Sequence, residues 1–221
     1  MSSPRFQYID QTNIGDHTRI LATDSVIFLR EYTAQKGFAF SDTNNLISNL
    51  KKKKGDGGFH YKSRAIDQCA TEIFNGLHPD WLKTACLVPI PPSKCKTDEA
   101  FDDRILRICN GIAAKAPFSV DVREIITQAD SLRAAHESSD RPSVEELMAN
   151  YEFDEALCAN PPEVIGIVDD VLTAGNHFRA MSNKLARRFP DAGIVGIFVA
   201  RRAIPHDNFD DFDDMDSGPD A

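Results

Sequence analysis

Val164-Ile165-Gly166-Ile167-Val168-Asp169-Asp170-Val171-Leu172-Thr173-Ala174-Gly175-Asn176-His177 is the stretch on which the reading of this chain turns. The run Val164 to Val168 is β-branched except at Gly166 and predicts a strand buried on both faces. Two adjacent carboxylates and a small-residue turn follow. From Phe178, apolar residues recur at Met181, Leu185 and Phe189, the stripe of an amphipathic helix. A turn joining a parallel strand to a helix places its groups at the carboxyl edge of a sheet, where open α/β folds take their ligands. Backbone N–H groups of Thr173, Ala174, Gly175, Asn176 and His177 then stand at a helix start and can hold a phosphate. Asp169 and Asp170, just ahead of them, suit hydroxyls or a divalent cation.

Working outward, Ala85 to Ile90 (Ala-Cys-Leu-Val-Pro-Ile) reads as a second buried strand, followed by Pro91-Pro92-Ser93-Lys94-Cys95-Lys96. Prolines stiffen that turn. Ile194 to Ala200 is a third buried strand, and Val120 and Val122 alternate with Asp121 and Arg123 in a shorter one. Helical spacing at Ile66, Cys69, Ile73 and Leu77 predicts a helix from Ser63 to about Gly76–Asp80. A further helix is predicted over about 98–113. Strands near 85–90, 118–123, 164–168 and 194–200, separated by helices, describe an α/β doubly wound parallel sheet.

These residues resemble a family. Apolar strand, two acids, then Val-Leu-Thr-Ala-Gly is similar to the 5-phosphoribosyl diphosphate (PRPP) motif of type I phosphoribosyltransferases. Val88-Pro89-Ile90-Pro91 followed by a basic residue looks most like the competence-protein F (ComF), amidophosphoribosyltransferase-like branch. Asn150-Tyr151-Glu152-Phe153 faintly echoes an Asn-x-x-Phe element of the same pattern. The resemblance covers roughly residues 85–201. It implies a phosphoribosyltransferase core at 85–203, an N-terminal hood at 1–84 that reads the acceptor, and an acidic tail at 204–221. It further implies that Asp169 and Asp170 sit at the ribose hydroxyls, with Thr173 to His177 around the 5′-phosphate. Ser93 and Lys94 become pyrophosphate contacts, and Arg133, in the long polar insertion 124–160, belongs to a lid over PRPP. His177 stands where the family has Thr or Ser.

The same resemblance implies transfer of 5-phosphoribosyl to a nitrogen acceptor with release of pyrophosphate. Such a transition state has oxocarbenium character, so catalysis needs an electrostatic cage more than a nucleophile. Asp169 and Asp170 suit the developing positive charge and Lys94 the leaving group. Mg²⁺ would be held mainly by PRPP oxygens and water, with Asp169 and Asp170 as the candidate protein ligands. A second reading keeps PRPP binding as a sensor or regulator without turnover, on the strength of His177. No Ser-His-Asp order and no Gly-x-x-x-x-Gly-Lys loop supports a hydrolase or NTPase.

Composition agrees with an ordinary globular chain: 221 residues, 42% hydrophobic and 27% charged. No apolar run approaches the ~20 residues of a membrane span, and the start lacks a signal-peptide core, so the expected location is cytoplasmic. Cys69, Cys86, Cys95, Cys109 and Cys158 are odd in number and scattered, as reduced thiols are. Residues 204–221 hold seven Asp and no Lys or Arg, so the remaining chain carries −9 + 7 = −2. That near-neutral body gives no reason to expect nucleic acid. Phe209, Phe212 and Met215 among the Asp residues suggest a protein partner for the tail, a homodimer staying open. Lys51 to Lys54 reads first as a solvated turn, with steering of an anion as the alternative.

Overall fold

The computed structural model describes residues 4–131 and 142–204. Its centre is a six-stranded sheet in the order β1 (Gln7–Tyr8), β2 (Ser25–Thr33), β8 (Gly193–Ala203), β7 (Val164–Leu172), β3 (Ala85–Pro89), β4 (Asp121–Val122). Only β1 runs antiparallel; the other neighbours are parallel. The five parallel strands therefore share one carboxyl edge. The chain leaves β3 for β4 on one side and leaves β7 for β8 on the other. Those opposed departures put the topological switch point between β3 and β7, where Val88 pairs with Ile167 and Pro89 with Val168.

Helices cover both faces. On one side lie α5 (Val144–Asn150) and α6 (Asn176–Arg188), whose Leu147, Phe178, Met181 and Leu185 bury against Val26, Val88, Ile165 and Phe198. A small antiparallel pair, β5 (Ile126–Gln128) with β6 (Tyr151–Phe153), closes that layer. On the other side α1 (Asp42–Leu50), α2 (Tyr61–Gly76), α3 (Pro79–Thr84) and α4 (Arg104–Lys115) pack Leu50, Ile73, Leu82 and Ile108 onto Leu87, Val168 and Val199. A sheet apolar on both faces needs a helical layer on each, and this chain supplies them.

Local signals place the helix starts. Ser41 Oγ accepts from the Asn44 N–H at 3.1 Å and opens α1. Ser143 and Glu146 form a reciprocal capping box on α5. Two boundaries differ from the sequence reading. The helix expected from residue 98 begins at Arg104, because Asp98 folds its own turn, its carboxylate taking the Ala100 N–H at 2.9 Å. The strand expected to stop at Val168 continues to Leu172, since Asp169 and Val171 keep pairing with Phe198 and Ala200. The paired acids are therefore strand residues, not turn residues.

Residues of the expected hood join the same sheet. β2 pairs with β8 from Ser25↔Val195 to Thr33↔Ala203. Arg30 on β2 donates to Glu72 on α2 through Nε (2.8 Å) and Nη2 (2.6 Å). No helix among the described residues is long and apolar enough to cross a membrane. The five cysteines are all free thiols.

Candidate functional site at the carboxyl edge

β7 carries Asp169 and Asp170 to the switch point, and the next turn opens α6. Gly175 makes that turn: its φ of +95° lies in the left-handed region, and a Cβ there would meet Ile20 Cδ1 at 2.9 Å. Gly175 gives α6 no side-chain cap, and the first helical bond runs from Arg179 N–H to the Gly175 carbonyl at 2.9 Å. The N–H groups of Asn176, His177 and Phe178 thus precede the first intrahelical donor, the arrangement that favours an anion.

The turn is braced by the N-terminal segment. The His17 ring Nδ1 lies on the Thr173 carbonyl, and a carbonyl only accepts, so Nδ1 carries the proton. Burial pushes the His17 pKa down, in keeping with a neutral ring. Arg19 N–H donates to the Ala174 carbonyl at 2.8 Å, and Arg179 Nε on α6 donates to the Arg19 carbonyl at 3.0 Å. Arg179 also ion-pairs with Asp24. None of this bracing is visible as a local pattern in residues 13–24.

The two acids occupy different environments. Asp170 is 4% exposed and is held from two sides. Arg104, the first residue of α4, reaches its Oδ2 through Nε and Nη2, both at 2.9 Å, and Lys51 Nζ lies 3.5 Å away. Arg104 Nη1 also donates to Asp102 at 2.8 Å, and Asp102 in turn takes Lys62 Nζ at 2.8 Å. These cations hold the Asp170 carboxyl well below the usual range against the desolvation that opposes them. Asp169 is half-buried, and its Oδ1 accepts the Asp170 N–H at 2.7 Å. Desolvation first, then the Asp170 charge, pushes its pKa up to about 7. The start of α4 thus lands on Asp170 and buries it, whereas Asp169 stays half-buried.

His177, at the first turn of α6, has its Nδ1 2.8 Å from the Tyr151 hydroxyl on β6. Tyr151 is 1% exposed, and burial drives its pKa up, so the phenol stays protonated. Asn176 Nδ2 donates to the Pro142 carbonyl at 2.8 Å. In the loop after β3, Ser93 is exposed, and Lys94 Nζ pairs with Asp98 at 3.7 Å rather than with Asp169 or Asp170. Ser131 Oγ donates to the same Asp98 at 2.7 Å. Arg133, together with His136 and Arg141, lies outside the described residues. No cis peptide occurs among the described residues.

The structure brings Asp169, Asp170 and residues 173–177 together, and leaves Lys94 on a neighbouring loop. Sequence reading missed Arg104, Lys62 and His17, and gave Lys51 only a steering role. Chemically, the edge offers an uncapped helix start, one half-buried carboxylate that gains a proton near neutrality, and a cation cluster beneath it. Among the described residues no three His, Cys, Asp or Glu side chains converge as a metal site. Asp170 in its present pairing is unsuited to bind Mg²⁺ directly. The half-buried Asp169 is the better donor. No family model matches the chain, and no curated protein gives a match.

Proposed function

We propose that this chain binds PRPP at the carboxyl edge between β3 and β7 and transfers its 5-phosphoribosyl group to a nitrogen acceptor, releasing pyrophosphate, as a type I phosphoribosyltransferase of the ComF-like kind. One observation carries the reading: the uncapped start of α6, with Gly175 in the left-handed region, stands directly after a carboxylate pair at the switch point of a parallel sheet. A phosphate fits the helix start, and ribose hydroxyls fit the half-buried Asp169. Arg104 and Lys51 fix Asp170, which places fixed charge behind the ribose site without reorganisation during reaction. Ser93 and Lys94 would meet the pyrophosphate once Lys94 exchanges Asp98 for it. Bound Mg²⁺ would neutralise the leaving group.

A second reading has its own support. Asp170 is already paired, and His177 Nδ1 is already engaged by Tyr151. A chain built so can hold PRPP as a regulator without turnover. Thermal unfolding with PRPP and Mg²⁺ tests binding: ligand at ~100 times its dissociation constant stabilises by about 2.7 kcal/mol. No shift at millimolar PRPP sinks both readings. Loss of PRPP in the presence of ammonia, glutamine or nucleobases separates the transferase from the regulator.

A further inference from the structure

Two stretches of opposite charge leave the same corner of the sheet. β2 and β8 end side by side, Thr33 paired with Ala203. Beyond Thr33, residues 34–64 carry seven Lys or Arg against two Asp, a net of +5. Four aromatics in that stretch face water: Phe38 is 64% exposed, Phe40 55%, Phe59 41% and Tyr61 43%. A cleft of about 450 Å³ opens among Phe38, Asn45, Ser48, Lys52 and Tyr61. Beyond Ala203 the chain continues into residues 205–221, with seven Asp, no Lys or Arg, and Phe209, Phe212 and Met215 spaced three apart.

Exposed aromatics are individually ordinary, but Phe38 and Tyr61 line one cleft, where apolar surface left open is surface that burial would favour. The occupant that matches must be acidic and carry apolar anchors, and the chain contains one within reach. Phe209 lies six residues past Ala203, a span of up to about 20 Å, and Met215 twelve residues, up to about 40 Å. Phe38 is only five residues past Thr33, the partner of Ala203. Tethering also supplies an effective concentration on the order of millimolar, so weak individual contacts suffice.

We propose that residues 205–221 dock on the same chain's surface formed by Lys36–Phe40 and Lys51–Tyr61. Phe209, Phe212 and Met215 meet the exposed aromatics, and the intervening Asp residues stand opposite Lys36 and Lys51 to Lys54. The proposal is independent of the PRPP reading. Because Lys51 also reaches Asp170, docking brings carboxylates beside the candidate site.

Zero-length carbodiimide cross-linking of the full chain at low micromolar concentration, with the linked peptides mapped, tests it. Expected are links within one molecule from the tail Asp residues to Lys36 and Lys51–Lys54. Their yield should fall in high salt, which screens exposed charge. It should fall several-fold in the double variants Phe38→Ser/Phe40→Ser and Phe209→Ser/Phe212→Ser. The first pair is exposed, so the fold survives the change. The proposal is overturned if no such links form, if exposed Lys83 and Lys96 are linked as often, if links join only separate copies, or if the aromatic variants keep the full yield.

Discussion

At the scale of single residues, Asp169 and Asp170 show how one strand can hold neighbouring carboxylates in opposite states. Asp170 is paired with Arg104 and Lys51 and stays ionised; Asp169 accepts the Asp170 N–H and is raised to about 7. Removing one partner of a buried ion pair strands the other, at a cost of about 3–5 kcal/mol. Asp170→Asn should therefore lose roughly that much in urea unfolding, and a loss under about 1 kcal/mol would show that Arg104 does not depend on it. Asp169→Asn behaves differently, and the sign follows from linkage. A folded pKa raised above the unfolded one favours the fold at acid pH, and that contribution disappears as pH rises through about 7. Asp170, lowered, contributes above the usual carboxylate range and loses its effect only in strong acid. The melting temperature of Asp169→Asn relative to the parent should thus climb between about pH 4 and 7 and level off above that; a flat difference over that range contradicts the raised pKa. Both acids were legible in the sequence as a site, but the cations were not. Arg104 lies 66 residues from Asp170 along the chain. Its one local signal is a cation in the first turn of a helix, where the macrodipole disfavours it.

At the scale of elements, the turn from β7 into α6 depends on Gly175 and on what braces it. Gly175→Ala puts an L side chain at positive φ, costing about 1–2 kcal/mol, and drives its Cβ into Ile20. The expected result is a destabilisation of about 2 kcal/mol together with weaker PRPP binding. Unchanged affinity would mean that the turn does not hold the phosphate. His177→Thr introduces a residue type that the proposed PRPP site would favour, while taking the imidazole partner from the buried Tyr151 hydroxyl. It should cost about 1–3 kcal/mol of stability yet tighten PRPP binding, measured by calorimetry. If affinity falls instead, the imidazole itself contacts the ligand. Elements were the most readable level of this chain: the α1 and α5 caps, the buried runs of β3, β7 and β8, and the periodicity of α2 are all local patterns. Where β7 ends was not readable, because Asp169 and Asp170 look like a turn until Phe198 and Ala200 are seen beside them.

At the scale of the whole molecule, residues 4–84 are woven into the sheet and both of its faces. The sequence suggests a division at Ala85, since the family resemblance begins there, although Asp24 to Thr33 already suits a strand and the structure has one at Ser25–Thr33. The pairing that crosses this line joins strands about 170 residues apart, Ser25 with Val195 through Thr33 with Ala203, and no local period reports it. Val26 and Phe28 fill one core; Leu29, Leu46, Ile47, Leu50, Ile66 and Ile73 fill the other. The Arg30–Glu72 pair then ties β2 to α2 across that second core. Without residues 1–84, β8 would become an edge strand with unpaired backbone groups, and Ile197 and Val199 would lose the β2, α1 and α2 side of their packing. The bracing of Thr173 and Ala174 by His17 and Arg19 would go as well. Residues 85–204 expressed alone should therefore keep helical far-UV dichroism but lose near-UV signal and a cooperative calorimetric transition, and should bind a hydrophobic dye. A sharp transition from that fragment would show that the sheet closes without β2, and that the N-terminal third is an addition to the fold rather than part of it.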